Sequence, residues 1–255
     1  MSSRFGCMVS IAVGLTVVST QLLPAQIPER FQNLQVLPGD IARDSLVQIM
    51  RGFSFALGVR CQYCHAGGDG ISFAGVAFDS DDKPAKRKAR FMLRMVDSLN
   101  RIVLAALPER SDPPVTVQCV TCHRGLSKPT TLQAVLMKTI EQSGVDSAIR
   151  QYRGLRERTA LNGYYDFTEW RISELARQLV AAGKIPEAVA IQEMNAEFNP
   201  RSESIPLDLG ELFRRRGERD KAIAAFQRVL QLNPNNPQAR QRLTELGVRP
   251  PNHNF

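Results

Sequence analysis

The sequence predicts a mainly α fold in two parts, and two repetitions predict it. The pentapeptide C-x-x-C-H occurs at 61–65 (CQYCH) and again at 119–123 (CVTCH), each time after a segment with apolar residues at helical spacing. Further on, residues recur at a period of 34: Gly183 and Gly217, Ala188 and Ala222, Asn199-Pro200 and Asn233-Pro234. The chain has 255 residues, 43 % hydrophobic and 23 % charged, enough for one large core or two small ones. Its formal net charge of +8 suits an acidic partner or an anionic surface, although an ordinary basic soluble protein is the plainer reading. No basic run is interleaved with aromatics as a nucleic-acid groove requires, and RRRGERDK at 214–221 reads as a solvated helix end.

Residues 1–25 have the order of a secretory signal peptide. MSSR gives a short positive start, FGCMVSIAVGLTVVST is an uncharged run of 16 residues, and Leu23-Pro24-Ala25 offers a small-residue cleavage site. The run is short for a spanning helix, and an uncleaved anchor is the alternative. The expected location is periplasmic or otherwise extracytoplasmic, with membrane association through a retained anchor as the second option. Cleavage discards Cys7 and leaves four cysteines, all inside the two pentapeptides.

Three chemistries compete for those cysteines. A thioredoxin-like redox pair needs a βαβ setting, whereas the segments around both motifs read as helix and loop. A zinc ribbon usually spaces its C-x-x-C pairs about 15–20 residues apart, and here 54 residues separate Cys64 from Cys119. Neither explains why a histidine follows both pairs. Covalent haem attachment does: Cys61 and Cys64, or Cys119 and Cys122, reach the two vinyl groups of one porphyrin, and the next residue brings its imidazole under the iron. Two c-type haems are therefore expected, with His65 and His123 as proximal ligands.

The sixth iron position sets the function. The third and last histidine, His253, lies in the tail PNHNF, so bis-histidine haems are disfavoured and methionine thioether is the remaining good ligand. Met50 lies in DSLVQIMRGFSFALG, where Leu46, Val47, Met50, Phe53 and Leu57 form a helical stripe, Asp44 or Ser45 caps the start and Gly58 ends it. A tight return to Cys61 would set Met50 opposite His65. The second helix is predicted over DDKPAKRKARFMLRMVDSLNRIVLAAL, and there either Met92 or Met95 suits the iron; filling core is the competing role for all three.

NLQVLPGD, IMRGFSFALGVRCQYCH, ARFMLRMVDSLN and VQCVTCHRG resemble the haem units of the photosynthetic reaction-centre cytochrome c subunit over about residues 32–130. In that family a methionine-ligated haem takes its ligand from the helix before its own attachment site. The resemblance thus implies Met50 for the iron on His65, and Met92 rather than Met95 for the iron on His123. It also implies electron transfer with redox protein partners, in a membrane complex where the family's photosynthetic role applies. The family subunit has four haems and this chain two, and the loop histidine that serves one family haem has no counterpart in NRIVLAALPERSDPPVTVQ.

The 34-residue period is that of the tetratricopeptide repeat. SELARQLVAAGKIPEAVAIQEMNAEFNP and LDLGELFRRRGERDKAIAAFQRVLQLNP are the two units, and PQARQRLTELG is a capping helix. Two units are few for stability, so the helical segment before them, broken at Gly144, is expected to add a layer in which Met137 packs. Such arrays dock a protein or peptide in a concave groove. The expected organisation is 1–25 signal peptide, 26–135 dihaem cytochrome c domain, 136–165 helical connector and 166–255 tetratricopeptide repeats with capping helix.

The sequence thus points to an exported dihaem electron carrier rather than an enzyme. The alternatives are a dihaem peroxidase-like enzyme with one open iron, and a redox module docked by its repeats in a larger complex.

Overall fold

A computed structural model describes residues 27, 28 and 30–250; the expected signal peptide and His253 lie outside them. The described chain divides into two units. One takes in the chain up to Met50 together with Arg60–Ala106, the other Arg51–Val59 and the chain from Leu107 onward.

Helix α1 (Arg43–Leu57) begins one residue ahead of the expected cap. Leu46 N–H bonds the Ala42 carbonyl, and Asp44 falls in the first turn, where its charge suits the helix dipole. The end is as expected at Gly58: Gly58 N–H bonds the Phe55 carbonyl at 3.3 Å and Val59 N–H the Ser54 carbonyl at 3.1 Å, the paired closure that needs φ +64 at Gly58.

In the first unit a short hairpin pairs β1 (Ala66–Gly67) with β2 (Val76–Ala77), antiparallel, and α2 follows (Pro84–Ser98) with proline in its first turn. Where one helix was expected to run on towards residue 106, the chain widens to a π turn at Leu99–Val103 and tightens to a 3-10 turn at Leu104–Ala106. Asn100 and the β-branched Ile102 and Val103 are weak helix formers there, and Pro108 bars continuation of the helix. Asp81 ties the unit together, with Lys86 Nζ at 3.3 Å and Arg90 Nη1 at 2.7 Å, while Arg90 Nη2 donates to the Asn33 carbonyl at 3.0 Å. These contacts hold Asp81 well below the usual carboxylate range, the Arg90 hydrogen bond contributing most.

The second unit contains α3 (Cys119–His123), α4 (Leu132–Ser143), α5 (Val145–Thr159), α6 (Glu169–Ala181), α7 (Ile185–Phe198), α8 (Ser204–Arg215), α9 (Arg219–Leu232) and α10 (Pro237–Glu245). α4 pairs with α5, α6 with α7 and α8 with α9, while α4 also packs on α6 and α5 on α7, and one continuous core runs from Leu132 to Leu243. Gly144 separates α4 from α5, and their Leu136, Ile140, Ala148 and Tyr152 belong to the same core as the repeats, with Met137 packed against it. Tyr152 is fully buried, edge-on to Phe167 and Phe198 at 5.6 and 5.4 Å, and its hydroxyl accepts from Arg156 Nη1 at 2.9 Å.

The repeat positions have physical content. Ala188 and Ala222 are both fully buried. After α6 and after α8 the chain closes alike: Lys184 N–H bonds the Leu179 carbonyl at 2.8 Å, and Glu218 N–H the Phe213 carbonyl at 2.9 Å. One repeat later than Ala176 stands Gly210, where a Cβ would lie 2.4 Å from the Phe226 ring. Gly210→Ala is expected to destabilise the array by about 1–3 kcal/mol through overpacking, despite alanine's better helix propensity; thermal unfolding followed at 222 nm measures it, and an unchanged or raised midpoint would refute it.

Candidate haem sites

The two pentapeptides fold into short helical turns. Cys61–Tyr63 form a 3-10 turn in which the Cys61 carbonyl accepts from both Cys64 N–H, at 3.1 Å, and His65 N–H, at 2.9 Å. CVTCH is the helical turn α3, opened by a reciprocal pairing of Gln118 with Thr121, whose Oγ1 accepts from Gln118 N–H at 3.0 Å. Arg124 ends it in the left-handed region at φ 48. Each turn gathers two thiols and an imidazole, and the cysteines form no disulfide. Burial raises the pKa of Cys64 and of Cys119. Among the described residues no three His, Cys, Asp or Glu side chains converge as a metal ion would need.

The histidines differ in their support. His123 Nδ1 lies 2.8 Å from the Leu126 carbonyl oxygen, which only accepts. Nδ1 therefore carries the proton and leaves the Nε2 lone pair for a metal. His65 Nδ1 is buried with no hydrogen-bond partner among the described residues. Burial lowers the pKa of His65 and neighbouring Lys86 adds to this, while the Phe78 carbonyl, which already accepts from Lys86 Nζ, pulls the other way.

The first unit offers a direct test of whether its residues suit a porphyrin. Leu46 is its only buried apolar side chain among the described residues. α2 is strongly amphipathic and yet buries nothing: Phe91, Met92 and Met95 are 68 %, 38 % and 37 % exposed. A unit of this size does not hold together on one leucine. A large apolar plate would supply the missing interior, so the residues present fit such a group. Met50 is half-buried on α1, and Met92 and Met95 stand three residues apart on α2, almost equally exposed. All three belong to the first unit, as do Cys61, Cys64 and His65, whereas Cys119, Cys122 and His123 belong to the second.

Sequence reading missed a packed joint within the second unit. Gly125 N–H bonds the Ala56 carbonyl at 2.8 Å, a Cβ on Gly58 would lie 2.0 Å from the Gly125 oxygen, and a Cβ on Gly125 would lie 2.3 Å from the Tyr164 ring. Gly125 follows the second attachment site by two residues, so the joint fixes the backbone that carries His123. Phe55, Val120, Arg124 and Tyr164 line an open hollow of about 530 Å³ beside it.

A family described as the photosynthetic reaction centre cytochrome C subunit matches residues 20–188. The chain belongs to that family. The match to the reaction-centre cytochrome family runs beyond the motifs that carried the resemblance, through α4, α5 and α6 and into α7. With membership comes covalently bound haem. A tetratricopeptide repeat matches residues 207–246, the span of α8 to α10. Among curated proteins, cytochrome c-554 of Chloroflexus aurantiacus is 38 % identical over 91 residues, 36 % of this chain and 20 % of that protein. The chain thus spans a fifth of the length of the curated relative it matches. A solved structure of the Yersinia enterocolitica type III secretion chaperone SycD, in complex with a peptide of the translocator YopD, covers 46 % of this chain and 84 % of its own. At 15 % identity and a TM-score of 0.29, that likeness is too loose to carry any argument.

Proposed function

We propose that this chain is an extracytoplasmic dihaem electron carrier, with residues 26–135 as the haem-binding part, 136–165 as connector and 166–255 as a docking array for a protein partner. The observation that carries the reading is the repetition of the attachment turn, with two unpaired thiols and an imidazole on each of two short helical turns. Haem, once bound, supplies a one-electron ferric–ferrous couple.

The chain's own residues do the rest. Cys61 and Cys64 tether one porphyrin, Cys119 and Cys122 the other. His65 and His123 would hold iron, and the Leu126 carbonyl on His123 Nδ1 fixes the ring orientation and donor strength of that imidazole. By the family pattern Met50 closes the iron on His65 and Met92 the iron on His123, with Met95 as packing. Thioether on the open side raises the potential and shuts out small substrates, which favours electron transfer over peroxidase chemistry. Export fits this chemistry, because c-type haem is joined outside the cytoplasm; among the described residues no helix is long and apolar enough to cross a membrane. Exposed Arg124, beside the second site, is free to meet a haem propionate.

Optical spectra of the loaded protein test the ligand set. Both haems are expected to be low-spin with the weak methionine-to-iron band. Met50→Ala and Met92→Ala should each convert one haem to high spin, and Met95→Ala neither. A wild-type protein with a high-spin haem that reacts with peroxide would replace the carrier with the enzyme.

A further inference from the structure

The two attachment histidines are held unequally, and both inequalities act in one direction. A carbonyl acceptor on the far imidazole nitrogen pushes electron density towards the metal-binding nitrogen and favours ferric iron. His123 has that acceptor in Leu126, at 2.8 Å. The buried Nδ1 of His65 makes no hydrogen bond among the described residues, and the Phe78 carbonyl, which acts on the ring in the same sense, is taken by Lys86 Nζ. Charge adds to the difference. Lys86 is turned inward, its side chain 12 % exposed, and Nζ donates to the Phe78 and Ser80 carbonyls at 2.8 and 2.7 Å. The Phe78 ring in turn stands edge-on to the His65 ring, centroids 5.1 Å apart. One carboxylate, Asp81, faces both Lys86 and Arg90, which leaves one net positive charge in the cluster. Beside His123 the adjacent cation, Arg124, is exposed, and solvent screens it.

We propose that His65 holds its haem iron at a higher reduction potential than His123 does, with Lys86 as a positioning residue that sets the difference. This rests on the reading that both pentapeptides carry haem. In the half-reduced protein the electron then resides at the His65 site: iron held by His123 gives up one electron, iron held by His65 gains it, and no proton or further reactant enters the balance.

Optical redox titration of the haem-loaded full chain tests it. Wild type should titrate in two waves. Lys86→Gln should lower the higher wave and leave the lower one in place, with about 59 mV for each tenfold change in the equilibrium constant. Lys86→Arg, which keeps the charge and the donors, should hold the wild-type potentials. Asp81→Asn, which removes the compensating negative charge, should raise the higher wave; it decides the matter if Lys86→Gln loses haem. Two haems titrating as one wave, a shift confined to the lower wave, equal shifts in both, or a fall in Lys86→Arg as large as in Lys86→Gln would each overturn the assignment. Fewer than two haems per chain by pyridine haemochrome assay would instead overturn the dihaem reading beneath it.

Discussion

Replacing all four attachment cysteines by alanine should unfold the first unit and leave the helical array folded. The imbalance in buried surface is the reason. Among the described residues Leu46 alone is buried of the apolar side chains of the first unit, and α2 buries no residue, whereas the core from Leu132 to Leu243 is continuous and includes fully buried Tyr152, Phe226 and Ile191. At about 25 cal/mol per Å² of apolar surface, burial on that scale outweighs chain entropy only in the array. Amide hydrogen exchange reads the outcome residue by residue: protection should vanish over 60–106 and persist over 132–246. A haem-free variant that kept slow exchange in α2 would show that the first unit folds by itself and would remove the strongest physical argument for a porphyrin there.

Gly125→Ala should cost about 2–5 kcal/mol. Gly125 sits at φ +83, where a side chain strains the backbone by about 1–2 kcal/mol, and overpacking adds about 1–3 kcal/mol. The clash partner is the Tyr164 ring, at 2.3 Å from the added Cβ. A double-mutant cycle separates the two costs. Tyr164→Ala in the Gly125→Ala background should recover the overpacking share and leave the backbone share, so the two substitutions should be strongly non-additive. Additive effects would mean that the ring does not bear on the glycine. Because Leu126, whose carbonyl supports His123, is the next residue, the Gly125→Ala protein should also show a changed spectrum at one haem only.

Local features of this fold were legible because single residues enforce them. Gly58 ends α1, Gly144 parts α4 from α5, and the small residues Ala188 and Ala222 mark close helix approach; each follows from backbone freedom or side-chain size. The cysteines and histidines of the two pentapeptides stand out in the sequence because covalent haem attachment would demand that fixed spacing. The start of α1 was misplaced, since Asp44 serves the helix dipole from inside the first turn instead of capping from outside. The π turn at Leu99–Val103 left no mark in the apolar spacing. Two features that bear most on the sites were not legible at all. The joint of Gly58, Gly125 and Tyr164 joins residues far apart in the chain through shape alone. Lys86, one of several cations in KPAKRKAR, is set apart by donating to the carbonyl of Phe78, whose ring stands against His65, and no periodicity reports that.

The most direct measurement is the intact mass of the exported protein under denaturing conditions, together with a thiol count. The account predicts a chain shortened by its leader and carrying the mass of two covalently bound haems, with no reactive thiol left. A colourless product at the bare polypeptide mass, with four titratable cysteines, would contradict it.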